Sequence, residues 1–417
     1  MRRTDATPAP LPDGLVLRTA TPADLSQVGE LLTDRGEPAD AVDHRLVVQD
    51  PAAGWETCAV VVDGDRVVST ATLLDEELQL AVPGSDVTVR LPAGQVELVA
   101  TVPDHEGRGL VRALMGWAHE LSAARGHVLQ VMIGIPYFYR LFGYSYAVDI
   151  PGHRPLVTPP AMPDGHVVRP ATRADLPVVR RLQDAAQAAS DLRMPHSPPR
   201  WGWLLDRDGS TTWVVERGAE VVATGRTTPP EDGVVLAELA ASDPPAARAM
   251  VAAADALARS VDEPEPVTVW DRPGTVGGAV VNEVCGPAPA EAEQYYVRVP
   301  DAAALLDRMR PVLDARLARS GIEPPDEVLL GTFRQQLRLP VVDGRFGEPV
   351  VGGTLQSPGA HGGAGAAPDL LGPLLLGPLG MAGLSRRHPD VYPGPHVDLM
   401  ETLFPPVRAD LLTYYLP

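Results

Sequence analysis

Apolar and polar residues alternate through the first third of the chain in a series of short runs, "CAVVVDG", "RVVSTATLL", "LQLAV", "VTVRL" and "VELVATV". Asp-Gly and Pro-Gly pairs punctuate them, so the pattern predicts five strands joined by tight turns. The period then changes. Leu110, Val111, Leu114, Met115, Ala118 and Leu121 recur at helical spacing and predict an amphipathic helix from about Leu110 to Ala124. A buried strand "VLQVMIG" and the aromatic-rich "PYFYRLFGYSYAVDI" follow, which makes this part a mixed α/β domain around one central sheet.

The same plan then returns. "PDGLVLRTATPADL" starts at Pro12 and "PDGHVVRPATRADL" at Pro163, an offset of 151 that also aligns Arg18 with Arg169 and Asp24 with Asp175. Each copy reads as a strand leading into a helix, with Thr21 or Thr172 as the N-cap. The second copy continues with "TWVVERG", "EVVATGRTT", "VVLAELA" and a helix "ARAMVAAADALARSV", as expected of a duplicated domain. From about Gln294 the pattern changes again to a strand, a long helix, the strand-like "EVLLGTFRQQLRLPVV" and a Gly/Pro-rich stretch with short apolar helices. The expected organisation is 1–155, 156–292 and 293–417.

The 417 residues are 45% hydrophobic, enough for several cores, and the net charge of −19 gives no support to nucleic-acid binding, which needs a basic face. The acidic total leans toward a cationic or amine substrate. All 35 basic residues are arginine, which excludes a Schiff-base lysine and a phosphate-loop lysine. Cys58 and Cys285 are the only cysteines, each in an apolar run, and read as core residues. No apolar run is long enough to span a membrane and the start lacks a signal-peptide core, so a cytosolic protein with no membrane partner is expected. His105, His119 and His127 have no metal-ligand spacing, and no metal is expected. The tryptophans of "RWGWLLD" read as core before pocket wall.

One stretch bears on chemistry. "EGRGLV", Glu106 to Val111, joins an apolar strand to the amphipathic helix. The first N–H groups of a helix lack internal partners and carry the positive end of its dipole, and glycines let an anion approach them. On those grounds alone it is either an anion cradle or a strand-to-helix turn. It is not a dinucleotide fingerprint, because it lacks the G-x-G-x-x-G spacing and an initial βαβ unit. In the second copy "SDPPAARAM" stands in its place, and prolines have no N–H to offer.

With "ATVPDHEGRGLVRALM" and, further on, "YFYRLFGYSYA", the chain resembles the GNAT superfamily of acyl-CoA N-acyltransferases. The phosphate loop of that family has the form Q/R-x-x-G-x-G/A after the fourth strand. Two such domains, the second without a usable loop, plus a C-terminal segment similar to sterol carrier protein, resemble the plan of the Eis-type acetyltransferases. The fold class implied is a duplicated α/β (α+β) GNAT fold with a smaller sterol carrier protein-like domain. Glu106 and Val111 depart from the family pattern, and Glu106 is expected either to weaken donor binding or to pair with an arginine such as Arg112.

The resemblance implies acetyl-CoA as donor. Val99, Ala100 and Thr101 would meet its pantetheine arm, and Glu106, Gly107, Arg108, Gly109, Leu110, Val111 and Arg112 would hold its pyrophosphate. It also implies Tyr139 as the acid that protonates the departing thiolate. Two groups compete as base, the terminal carboxylate of Pro417 and Glu97 on the fourth strand. The expected reaction is acetyl transfer to a primary amine of a small or peptide-like substrate, with a homo-oligomer, a hexamer being one form. The alternative is a non-catalytic acyl-CoA or lipid-binding protein.

Overall fold

A computed structural model of the chain describes residues 9–150, 152–288 and 293–412. The chain divides into two units. One holds residues 1–21, 55–149 and 294–409, and the other holds 22–54, 150–293 and 410–417.

The first unit is built on a mixed sheet of strands β1 (Val16–Thr19), β2 (Cys58–Asp63), β3 (Arg66–Ala81), β4 (Thr88–Thr101), β5 (Leu129–Met132) and β6 (Ser145–Asp149). They lie in that order, except that the strand Gln294–Arg298 enters between β5 and β6, antiparallel to both. Thus the strand that opens the last third of the sequence belongs to the first sheet. The two long strands β3 and β4 each absorb two of the runs read as separate strands. No turn residue interrupts Leu74-Asp75-Glu76-Glu77-Leu78, and Pro92-Ala93-Gly94 stays extended as its neighbours pair across Glu77↔Pro92 and Asp75↔Gly94.

The helix Leu110–Ala124 buries Leu110, Leu114, Met115, Trp117, Ala118 and Ser122, the stripe expected of its period. Its C-terminal end is tied to the sheet by buried polar groups. Ser122 Oγ accepts from Gln130 Nε2 at 2.8 Å and lies 3.1 Å from His127 Nδ1, while His127 Nε2 is 3.3 Å from Asp75 Oδ1. Gly94 leaves room for that cluster, since a Cβ there would meet His127 Nδ1 at 2.8 Å and Ser122 Oγ at 3.0 Å.

The rest of this unit holds the helix Ala302–Ser320, N-capped by the Asp301 carboxylate on the N–H groups of Ala303 and Ala304, and a further sheet. The stretch "EVLLGTFRQQLRLPVV" forms a hairpin, Glu327–Gly331 with Gln336–Val342, turning where Phe333 takes φ 62°. The apolar Gly/Pro-rich stretch makes the short helices Leu371–Leu376 and Gly380–Ser385.

In the second unit the strands β7 (His166–Pro170), β8 (Thr211–Arg217), β9 (Glu220–Thr227), β10 (Val234–Ala241) and β11 (Val267–Trp270) repeat the order of β1 to β5. The position taken in the first sheet by Gln294–Arg298 is filled here by His153–Pro155, again antiparallel to its neighbour. Thr172 forms the expected cap as a capping box with Asp175. In each copy the α-helix that follows, Leu25–Arg35 or Leu176–Gln187, has an aspartate at its own N-cap position, Asp24 or Asp175. Val222, Leu236, Leu239, Met250, Val251, Val269 and Val280 form the core, each fully buried aliphatic side chain contributing about 1.5–3 kcal/mol. Trp201 and Trp203 are buried, and Trp203 Nε1 donates to Asp50 Oδ2 at 2.7 Å. Cys58 and Cys285 are free thiols, and Cys285 ends the helix Val276–Val284 instead of lying in a strand. Among the described residues no helix is long and apolar enough to cross a membrane.

Candidate active site

The site is built around a fault in the β3–β4 ladder. Thr72 pairs with Glu97 and Thr70 with Ala100, so Ala71 alone faces both Leu98 and Val99. Leu98 takes φ 53°, and the extra residue of such a bulge is left off the ladder. On its other side β4 pairs with β5 only from Ala93↔Leu129 to Gln95↔Val131. Beyond Gln95 that edge has no strand partner among the described residues, so its backbone N–H and C=O groups are left outside the ladder. Val99, Ala100 and Thr101 lie along this open stretch. Ser69 steadies it from β3, donating to Ala100 O at 2.9 Å and lying 2.7 Å from Thr101 Oγ1.

At the end of β4 the chain turns through Pro103–His105, where buried His105 is held between Asp104 at 2.9 Å and Asp63 at 3.1 Å. Glu106 is exposed, Gly107 takes φ 73° and Gly109 takes φ 80°. Gly109 is the N-cap of Leu110–Ala124 and brings no capping side chain, so the first-turn N–H groups of Leu110, Val111 and Arg112 are left for a ligand. A Cβ on Gly107 or Gly109 would meet nothing within 4 Å. These glycines therefore supply the left-handed backbone and an open approach, not close packing. Arg108 donates to Asp13 Oδ2 at 3.1 Å, and the guanidinium carbon of Arg112 stands 5.4 Å from the Phe142 ring centroid.

Tyr139 sits in the short helix Phe138–Phe142 and is buried among aromatic rings. The centroid of Phe138 is 5.2 Å away, that of Tyr296 5.9 Å and that of Tyr144 6.4 Å. Its ring lies against Gly134, where a Cβ would come within 2.2 Å of Cε2. Burial first, then the negative charge of Glu97, push the phenol up to about 12. Glu97 is thus near enough for its charge to act on the Tyr139 phenol. Glu97 is half-buried and accepts a short hydrogen bond from the Gln95 side-chain amide. Pro417 lies outside the described residues.

Sequence reasoning missed Tyr296. It arrives on the inserted strand Gln294–Arg298, stacks on Tyr146 at 4.1 Å and donates to the Tyr146 hydroxyl at 2.7 Å. No local signal could have placed it beside Tyr139, since 157 positions separate the two in the numbering from 139 to 296. His119, left aside in the sequence, lies 3.2 Å from the Tyr144 hydroxyl, and burial with help from Arg298 lowers it to about 4. Ser122, His127 and Asp75 stand in the order of a nucleophilic triad, but Ser122 is 0% exposed and no substrate carbonyl can reach it.

The second unit repeats the bulge and then fills the space. Gly225 faces both Glu238 and Leu239, and Glu238 takes φ 57°. Gln183 Nε2 donates to Glu238 O at 2.6 Å, and Arg272 donates to Leu239 O at 3.1 Å and to Gln183 Oε1 at 2.8 Å. Asp410 closes on the same guanidinium at 2.6 Å. The helix Pro244–Ala258 is capped by the chain's own carboxylate, since Asp243 accepts from Ala246 N at 2.9 Å. Where the first helix offers bare N–H groups, this one has two prolines and an anion already in place.

Comparison with known proteins agrees with this geometry. Residues 17–147 match the model of the acetyltransferase (GNAT) domain. No curated protein matches the sequence. Among solved structures, a GCN5-related N-acetyltransferase from Kribbella flavida is 20% identical, with a TM-score of 0.64 over 96% of this chain and 100% of that one. A second, from Anabaena variabilis, is 15% identical with a TM-score of 0.63 over 94% and 96%. Eis1 from Mycobacterium abscessus is 16% identical with a TM-score of 0.58 over 95% and 99%. At these identities the structural likeness establishes the fold, and the matched segment carries the open β4 edge, the glycine loop and Tyr139: residues 17–147 match a GNAT acetyltransferase domain, within a chain of GNAT fold.

Proposed function

We propose that the protein is an acyl-CoA-dependent N-acyltransferase that moves an acetyl group from acetyl-CoA directly to a primary amine. The observation that carries this reading is the meeting, in one unit, of the bulged open edge of β4, the uncapped helix behind Gly109 and the phenol of Tyr139 beside Glu97.

The chain's part in each step follows. The bare first turn at Leu110 to Arg112 takes the pyrophosphate, and the β4 edge from Val99 to Thr101 takes the amide groups of the donor arm. The bulge N–H groups around Leu98 and Val99 meet the thioester oxygen as it gains charge. The amine nitrogen bonds to the carbonyl carbon, the C–S bond breaks, and the proton lost by the amine passes to a carboxylate. Glu97 and the Pro417 carboxylate are the two competing candidates for that base. A phenol held near 12 is fully protonated at neutral pH, so Tyr139 meets the departing sulfur as a hydrogen-bond donor and proton source.

The net charge of −19 supports a cationic acceptor of aminoglycoside-like or polyamine type. With this reading go a homo-oligomer and a sterol carrier protein-like domain over 293–417. The test is thiol release from acetyl-CoA across a panel of primary amines. Amine-dependent release above hydrolysis is expected. Donor binding without any such release would replace this reading with that of an acyl-CoA-binding protein. Deleting Leu416 and Pro417 decides the base: an unchanged rate assigns it to Glu97.

A further inference from the structure

Next to the short helix that carries Tyr139, a cavity of about 280 Å³ opens between Ser145–Ala147 of β6 and residues 369–388. Arg140 reaches its lining from that helix, and Arg387 and His388 reach it from the turn after Gly380–Ser385. Among the described residues neither guanidinium forms an ion pair, in a chain with 54 acidic residues to 35 arginines. Elsewhere in this unit Arg66, Arg108, Arg125 and Arg338 all hold carboxylates. The rest of the lining sets Leu370, Leu379 and Leu384 with two prolines beside the polar side chains of Ser145, Tyr146 and Gln294, and Asp369 is the single carboxylate on it.

Guanidinium groups without carboxylates of their own are receptors for planar oxyanions, which they meet through paired N–H donors. The volume admits a molecule of amino-acid size. An inorganic anion would leave the leucine wall uncovered, whereas a hydrocarbon body fills it and gains from leaving water. Asp369, also in the lining, complements an ammonium.

We propose that this cavity binds a small apolar α-amino acid, its carboxylate on Arg140 and Arg387, its side chain against the leucines and its ammonium toward Asp369. Binding there does not depend on acyl transfer. Because Arg140 follows Tyr139 in a five-residue helix, a ligand held there also restrains the segment that positions the phenol.

Titration calorimetry on the full chain without acyl-CoA tests this, using leucine, 4-methylpentanoate, leucinamide and inorganic phosphate. Leucine should bind best, 4-methylpentanoate measurably, and leucinamide and phosphate at least about ten times more weakly than leucine, the loss expected when a charge-assisted hydrogen-bonded pair goes unmade. Arg387→Ala should lower leucine affinity by a similar factor while leaving the melting temperature and acetyl-CoA binding unchanged. Equal binding of leucinamide, binding of phosphate alone, no binding of leucine, or an Arg387→Ala variant that binds leucine normally would each overturn the proposal. Loss of amine acetylation with leucine binding intact would count against the acyltransferase reading and leave this one standing.

Discussion

Tyr139 owes its place to what Gly134 lacks. The ring occupies the volume a side chain at 134 would need, so Gly134→Ala must push the phenol off its position. If Tyr139 is the proton source, Tyr139→Phe should lower turnover at least about tenfold with little change in the donor dissociation constant. Gly134→Ala should reproduce most of that loss through displacement alone. Steady-state kinetics with donor affinity measured separately checks both, and a wild-type rate in Tyr139→Phe would remove the residue from the mechanism. Tyr296 leads to a milder expectation, since it touches the Tyr139 ring without being expected to react. Tyr296→Phe removes the hydrogen bond to Tyr146 but keeps the stacking face, and should change the rate less than Tyr139→Phe does.

Two helices with corresponding places in the two copies show what an anion site requires. Leu110–Ala124 begins at a glycine with φ 80°, and Pro244–Ala258 begins at an aspartate that already bonds the first turn. Gly109→Ala should weaken acetyl-CoA binding, because a methyl group enters the approach. Its left-handed backbone should also cost about 1–2 kcal/mol of stability, visible as a lower denaturation midpoint. Asp243→Ala should cost about 1 kcal/mol as a lost cap without creating donor affinity, because Pro244 and Pro245 still have no N–H to give. Elements of this kind were legible in the sequence. The stripe at Leu110, Leu114, Met115 and Ala118 fixed the helix, and the glycines marked its start. The bulge at Leu98 was not legible, because one added residue shifts an alternation that is already irregular in a strand buried on both faces. Fusion of the short runs into β3 and β4 escaped for a related reason: Pro92 and Gly94 look like a turn, yet they stay extended, the glycine making room for His127 and Ser122.

At the scale of the whole molecule, buried ionisable groups set the response to pH and to truncation. Burial lowers His44 and His119 from the ordinary value of 6.5 to about 4. Between those values the unfolded chain takes up protons that the folded chain refuses, so stability falls as pH drops through that window. The melting temperature should decline from pH 7 to pH 4.5, and less steeply in the double variant His44→Gln, His119→Gln; equal slopes would show that other groups govern acid sensitivity. In the second unit Arg272 and Asp410 form a buried pair at 2.6 Å. Arg272→Met strands the carboxylate and should cost about 3–5 kcal/mol, much of which Asp410→Leu in the same chain should restore. Chemical denaturation of the single and double variants checks the coupling.

The strand Gln294–Arg298 has a consequence for the order of events on the ribosome. The first sheet contains residues made early, Val16 to Asp149, together with a strand that leaves the tunnel only after the whole second copy has been synthesised. Until then β5 and β6 face each other across a missing neighbour, and the ring of Tyr296 that walls in Tyr139 is absent. A nascent chain halted after residue 150 should thus remain sensitive to protease at β5 and β6, and one halted with residues 294–298 clear of the tunnel should lose that sensitivity, the helix Ala302–Ser320 being still inside. A strand made only after the second copy thus completes the walls around Tyr139.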